Sequence, residues 1–126
     1  MKTNYFGHGP YLEFAENGTV LSHDGYMLDC ADQQGDSQKT IDVCLTAAGD
    51  LIFGAKNDAV TYVANIIIPA RQYKYQTKID GDGNPVLNED GSEQIEQIPI
   101  PLNMEQVIGN LWTIPEHKNE NENEEI

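Results

Sequence analysis

The densest run of oxygen donors in the chain is Asp80-Gly81-Asp82-Gly83-Asn84, followed closely by Asp90, a pattern that invites calcium. An EF-hand loop opening at Asp80 needs glycine at its sixth place and a bidentate glutamate at its twelfth. Pro85 and Gly91 stand there instead. The EF-hand therefore fails, and a solvated hairpin tip is expected, with loose calcium coordination by Asp80, Asp82, Asn84 and Asp90 as the alternative. His8, His23 and His117 fall at no zinc-ligand spacing. Cys30 and Cys44 are the chain's two thiols, and a nucleophilic role requires a base beside a thiolate. Cys44 reads as lying on the polar face of a strand and Cys30 as ending one, both ordinary places for inert small side chains. Gly7-His8-Gly9-Pro10 lacks the spacing of a phosphate-cradling loop. Among 21 acids, a pair such as Glu13 and Glu16 carries no meaning outside a cleft that perturbs it. No catalytic residue, metal site or cofactor is expected.

Two features survive this sifting. Arg71, Lys74 and Lys78 are three of the seven cations, gathered within eight residues that contain no acid. Tyr73 and Tyr75 sit among them, and tyrosines supply rigid contact area. Such a strand suits an acidic or carbonyl ligand; the opposing expectation is that the lysines pair with acids across a hairpin. The second feature is the stretch from Asp80 to Gly91, twelve residues long. Connections of that length are usually functional or disordered. Asp80, Asp82, Glu89 and Asp90 would make it an acidic, projecting arm for assembly or partner contact.

The elements that must position these residues read mainly as strands. Asn17-Gly18 and His23-Asp24-Gly25 are turn signals between short apolar runs, so residues 11–30 form a small meander. Residues 31–39 read as an exposed loop. Ile41, Val43 and Leu45 alternate with Asp42, Cys44 and Thr46, a half-buried strand that turns at Ala48-Gly49-Asp50 and pairs with Leu51-Ile52-Phe53. Residues 59–68 have helical spacing at Val60, Val63, Ala64 and Ile67, yet six of the nine residues from Val60 to Ile68 are β-branched. That stiffness favours a strand. Arg71–Ile79 and Ser92–Ile100 pair as a long hairpin, with Pro99 and Pro101 at an edge or a strand end. Asn103 then reads as the N-cap of an amphipathic helix, with Gln106 at capping-box spacing. Met104, Val107, Ile108, Leu111 and Trp112 form its apolar stripe, and Leu111 and Trp112 anchor it to the sheet. The expected fold is mainly β, an antiparallel meander and hairpin sheet with one C-terminal helix packed on it. Residues 1–115 make a single β-rich domain, and 116–126 an acidic disordered tail.

Composition bounds the function. The chain has 126 residues, 39% of them apolar, with a formal charge of −14. Sixteen of the acids and six of the bases precede Glu116, so the acidity belongs to the body as well as the tail. Such a surface repels nucleic-acid phosphates and anionic membranes and attracts a basic protein. No apolar run exceeds three residues, Ile66-Ile67-Ile68 among them, which excludes a membrane-spanning helix. With no secretory signal in view and only two cysteines, the thiols read as reduced and the protein as cytoplasmic. Three functions compete. The first is a non-enzymatic interaction or assembly module, which docks through its arm onto a basic protein or forms a homo-oligomer. The second is an acidic inhibitor of the phage or mobile-element accessory type, mimicking nucleic acid. The third is a small-molecule binder or small enzyme with a pocket between sheet and helix.

Overall fold

The computed structural model describes residues 1–54 and 59–115, so the expected acidic tail at 116–126 lies outside the described residues. Ten strands are described: β1 (Lys2–Phe6), β2 (Ala15–Asn17), β3 (Val20–His23), β4 (Tyr26–Asp29), β5 (Lys39–Thr46), β6 (Leu51–Phe53), β7 (Ala59–Ile68), β8 (Tyr73–Thr77), β9 (Ile95–Pro99) and β10 (Ile108–Trp112). They form a five-stranded sheet in the order β1-β10-β7-β5-β6, a three-stranded meander β2-β3-β4 and a separate hairpin β8-β9. Within the large sheet only β1 and β10 run parallel. The sole α-helical segment among the described residues is the four-residue turn α1 (Cys30–Gln33), capped by the Asp29 carboxylate.

Alternation decides which face is buried. Ile41, Val43 and Leu45 of β5 lie on one face with Ala64, Ile66 and Ile68 of β7 and Leu111 of β10. Leu21 and Leu28 of the meander join the same cluster from the other side, closing a two-layer core. The second turn of the meander forms as its Asp-Gly pair requires, Asp24 and Gly25 both holding positive φ at 49° and 86°. The first is shifted by one residue, with Asn17 paired to Val20 in the ladder and Gly18 alone at positive φ, 61°. A bulge between Val43 and Cys44 shifts the β5–β7 register. Residues 59–68 are strand throughout, because β5 and β10 supply ladder partners on both edges for a β-branched segment.

The expected C-terminal helix is absent, and its place is taken by β10. Asn103 does cap, accepting the Glu105 amide at 3.0 Å. What it caps is a single 3-10 turn, Met104–Gln106, which ends when Val107 adopts ψ 132°. The apolar stripe that fits a helix fits a strand equally well: Val107, Gly109 and Leu111 are buried, while Ile108, Asn110 and Trp112 face the other way. Gly109 and Asn110 are poor helix formers. In the strand Gly109 lies under the end of the Met1 side chain, which would have to shift to admit a Cβ, since that atom would stand 2.8 Å from Met1 Sδ. On the opposite face Asn4 Nδ2 donates to Asn110 Oδ1 and Asn110 Nδ2 to Asn65 Oδ1, each at 3.0 Å. These residues are directly opposed across β1, β10 and β7, so the ladder of amides marks the register.

The expectation that Leu111 and Trp112 anchor a helix to the sheet is thus overturned, since both lie in strand β10. Leu111 is 3% exposed in the core, whereas Trp112 is 36% exposed on the outer face, stacked on Phe6 at 5.5 Å between ring centroids. Leu111→Ala is expected to cost about 2–5 kcal/mol. Trp112→Ala, which forfeits one stacked pair and partial burial, is expected to cost only about 1–2 kcal/mol. Denaturant midpoints of the two variants check this; an equal or larger loss at Trp112 would mean that the outer face is covered.

Candidate functional site

The arm leaves the body just after β7, and its root is built from groups that sequence reading assigned to ligand capture. The Arg71 amide donates to the Gly35 carbonyl at 2.8 Å, and its guanidinium to the Gln34 carbonyl at 2.8 Å. The same guanidinium lies 3.8 Å from the Asp36 carboxylate, which also accepts the Tyr73 hydroxyl at 2.6 Å. Gln34 returns a side-chain bond to the Pro69 carbonyl at 3.1 Å. Arg71 and Tyr73 are therefore spent on holding the arm to the 34–36 loop. Asp36 and Gln34, their partners, were not singled out from the sequence, since nothing local announces a contact across 35 residues.

Beyond the root, β8 and β9 pair in the register Tyr73↔Pro99 to Thr77↔Ile95. Directly opposed residues share a face. Lys74 with Ile98 and Gln76 with Glu96 lie on one side; Tyr75 with Gln97 and Thr77 with Ile95 lie on the other. Lys78, next in the alternation, continues the lysine side. The acids of the arm do not pair with those lysines: Glu96 accepts from Gln76 at 3.2 Å and Glu93 from Thr77 at 2.9 Å. Among the described residues neither Lys74 nor Lys78 forms an ion pair.

The head of the arm is a three-way junction. Val86 donates its amide to the Lys78 carbonyl, Gln94 to Val86 and Lys78 to Gln94, each at 2.8 Å. These three bonds close a ring from which three hairpins radiate: the β8–β9 stem and two short leaves. In the first leaf the Asp80 amide donates to Asn84 and Gly83 to Asp80, at 2.8 and 3.1 Å; in the second Asn88 donates to Ser92 and Gly91 to Asn88, at 2.7 and 3.0 Å. The leaves are the same structure repeated eight residues later. Gly83 and Gly91 take the one position in each that needs positive φ, at 85° and 87°. The repeat was legible in the sequence, as Ile79-Asp80-x-Asp82-Gly83 against Leu87-Asn88-x-Asp90-Gly91, but it is far shorter than the periods that mark repeat folds.

This geometry sorts the remaining residues. Asp80 and Asp82 lie in the first leaf, Glu89 and Asp90 in the second. The Asp80 carboxylate accepts the amides of Asp82 and Asn84, at 2.9 and 3.0 Å. Asp90 accepts the Ser92 hydroxyl and amide, and these bonds hold its carboxyl below the usual carboxylate range. Asp80, Asp82 and Asn84 are thus parted from Asp90, and no group of three metal-ligating acids, histidines or cysteines occurs among the described residues. Sequence reading passed over the apolar members of the head. Ile79, Leu87 and Ile95, the residue after each corner of the ring, are 50%, 56% and 60% exposed, and Tyr75 behind them is 67% exposed. The signal that reveals them is the eight-residue spacing.

Among the described residues there is no C-terminal helix to form the expected pocket with the sheet. An open groove of about 500 Å³ lies instead between β1 and residues 10–16, lined by Thr3, Tyr5, Tyr11, Glu13 and Phe14 among others. Its second carboxylate, Glu16, is paired with the Met1 amino group at 3.0 Å. Neither thiol opens onto it. Cys30 is fully buried, and burial, then the carboxylates of Asp29 and Glu16, push its thiol from 9.0 up to about 11. Burial, then Asp42, push the Cys44 thiol up as well. Thiols so protonated are poor nucleophiles at neutral pH. No protein family, curated protein or solved structure matches the chain.

The Cys30 shift has a sign that can be measured. Between pH 9.0 and about 11 the folded protein keeps the proton that the unfolded chain has lost. Stability from this group is therefore complete below the lower value and drains away as pH rises through the upper one, by roughly 2–3 kcal/mol in all. Denaturant midpoints taken across that interval should fall for the natural protein and fall less steeply for Cys30→Ala. Parallel slopes would show the thiol to be solvated.

Proposed function

We propose that this protein is a non-enzymatic interaction module that docks onto a basic protein surface through the head of its arm. The observation that carries the reading is the composition of that head: from Ile79 to Gln94 the chain has five carboxylates and no cation, held out from the body on a hydrogen-bonded ring. A charge of −14 raises the rate of encounter with a positive partner. The buried, protonated thiols and the pairing of Glu16 argue in the same direction, against turnover. A cytoplasmic setting belongs to the reading and is supported by two free cysteines. No helix among the described residues is long and apolar enough to cross a membrane.

Association of this kind weakens with salt, because the Debye length falls from about 14 Å at 50 mM to about 4 Å at 500 mM. In extracts of the cells that make the protein, the natural chain is expected to retain a partner at the lower salt and release most of it at the higher. A variant with Asp80→Asn, Asp82→Asn, Glu89→Gln and Asp90→Asn should retain little at either. Equal, salt-insensitive retention by both proteins would overturn the proposal and favour a ligand in the β1 groove.

A further inference from the structure

We infer that the head of the arm binds a protein surface bearing an apolar hollow bordered by lysine or arginine, and that Ile79, Leu87 and Ile95 fill that hollow. The inference rests on the docking role proposed above and adds to it the face used and the chemistry of the partner.

The face follows from the pairing. Ile79 is bridged to Pro85, Leu87 to Glu93 and Ile95 to Thr77. Each pair lies beside one edge of the ring, its two members next to different corners, so by the alternation of extended chain the six residues stand on one side of it, and Lys78, Val86 and Gln94 on the other. Half or more of each large apolar side chain on this side is open to solvent, and Tyr75 prolongs the same face down the stem. Apolar side chains brought together this way mark a contact surface. Glu93 stands on the face itself, and the two leaf turns bearing Asp80, Asp82, Glu89 and Asp90 border it. An apolar centre inside a charged rim is the anatomy of a specific protein interface.

Charge selects the occupant. The rim holds only carboxylates, and the nearest cations, Lys74 and Lys78, lie on the opposite face. A complementary partner must carry its cations around the hollow. Anionic lipid and nucleic acid meet repulsion at every point of the rim. A second copy would bring five more carboxylates against these five. The ring and the Asx-type bonds of Asp80 and Asp90 fix the head before contact, which lowers the ordering cost of binding.

A photoreactive phenylalanine analogue placed at Leu87 in the full chain, and in a second protein at Lys74, tests this in extracts of the cells that make it. The expected result is an adduct from Leu87 with about tenfold the yield from Lys74, whose cross-linked peptide is apolar and flanked by lysine or arginine. The double variant Ile79→Ser, Ile95→Ser should lower that yield about tenfold, while Ile79→Leu keeps it. A polar or acidic peptide, a second copy, lipid or nucleic acid at Leu87, or no adduct there, overturns the inference. If the charge-neutralised head loses its partner but the serine variant does not, the docking role stands and this apolar face does not carry it. If neither variant matters, both fall.

Discussion

Strand β7 has hydrogen-bonded partners on both edges, and the rest of the main sheet takes its position from that pairing. Toward one side β5 runs beside it for most of its ten residues; toward the other β10 is inserted, and β1 adds to β10. A strand in this place must satisfy its backbone on two fronts and its side chains on one buried face, which suits a β-branched segment. The outer face answers with Asn65, whose amide accepts from Asn110 as Asn110 accepts from Asn4. A slip of one residue in β10 would break this row and carry Leu111 out of the core. Pro69 then ends β7, and two residues later Arg71 ties the arm to the loop after α1. The direction in which the arm leaves the body is thus inherited from the central strand.

The parts of this fold that could be read from the chain are those whose signal is local. Gly18 and Asp24-Gly25 specify turns by backbone conformation alone, and the Ile41/Val43/Leu45 alternation names a buried face without reference to any neighbour. Residues 103–112 misled because their apolar spacing is compatible with both periods. The choice between helix and strand was settled by the ladder partners that β7 and β1 offer on the two edges of β10, both remote in sequence. The same holds for the candidate site. Its carboxylates are visible as a composition, but the contacts of Arg71 and Tyr73 with Asp36, remote in sequence, are not. The apolar side chains of the head were overlooked because exposed isoleucines in a turn-rich segment look like noise until the junction aligns them.

The molecule separates its chemistry by depth. Thiols are enclosed and kept protonated. Five carboxylates stand at the far end of the arm, two of them, Asp80 and Asp90, already committed to backbone amides in their own turns. Bonds of that sort keep a carboxylate charged and fixed in direction, which serves recognition better than proton transfer. Lys74 of β8, meanwhile, lies across the hairpin from Ile98, and Lys78 follows on the same side with Glu96 between them, so the arm has one side of mixed charge and one apolar, acid-bordered side.

The closed ring at Lys78, Val86 and Gln94 also limits how the head can vary. Every corner gives its amide to one neighbour and its carbonyl to the other, so no corner has a free group with which to admit a fourth. An additional octapeptide would have to break the ring to enter it. Extra residues within Gly81–Gly83 or Glu89–Gly91 leave all three corners untouched. The number of leaves is a closed quantity and their length an open one: this head can reach farther, but it cannot branch again.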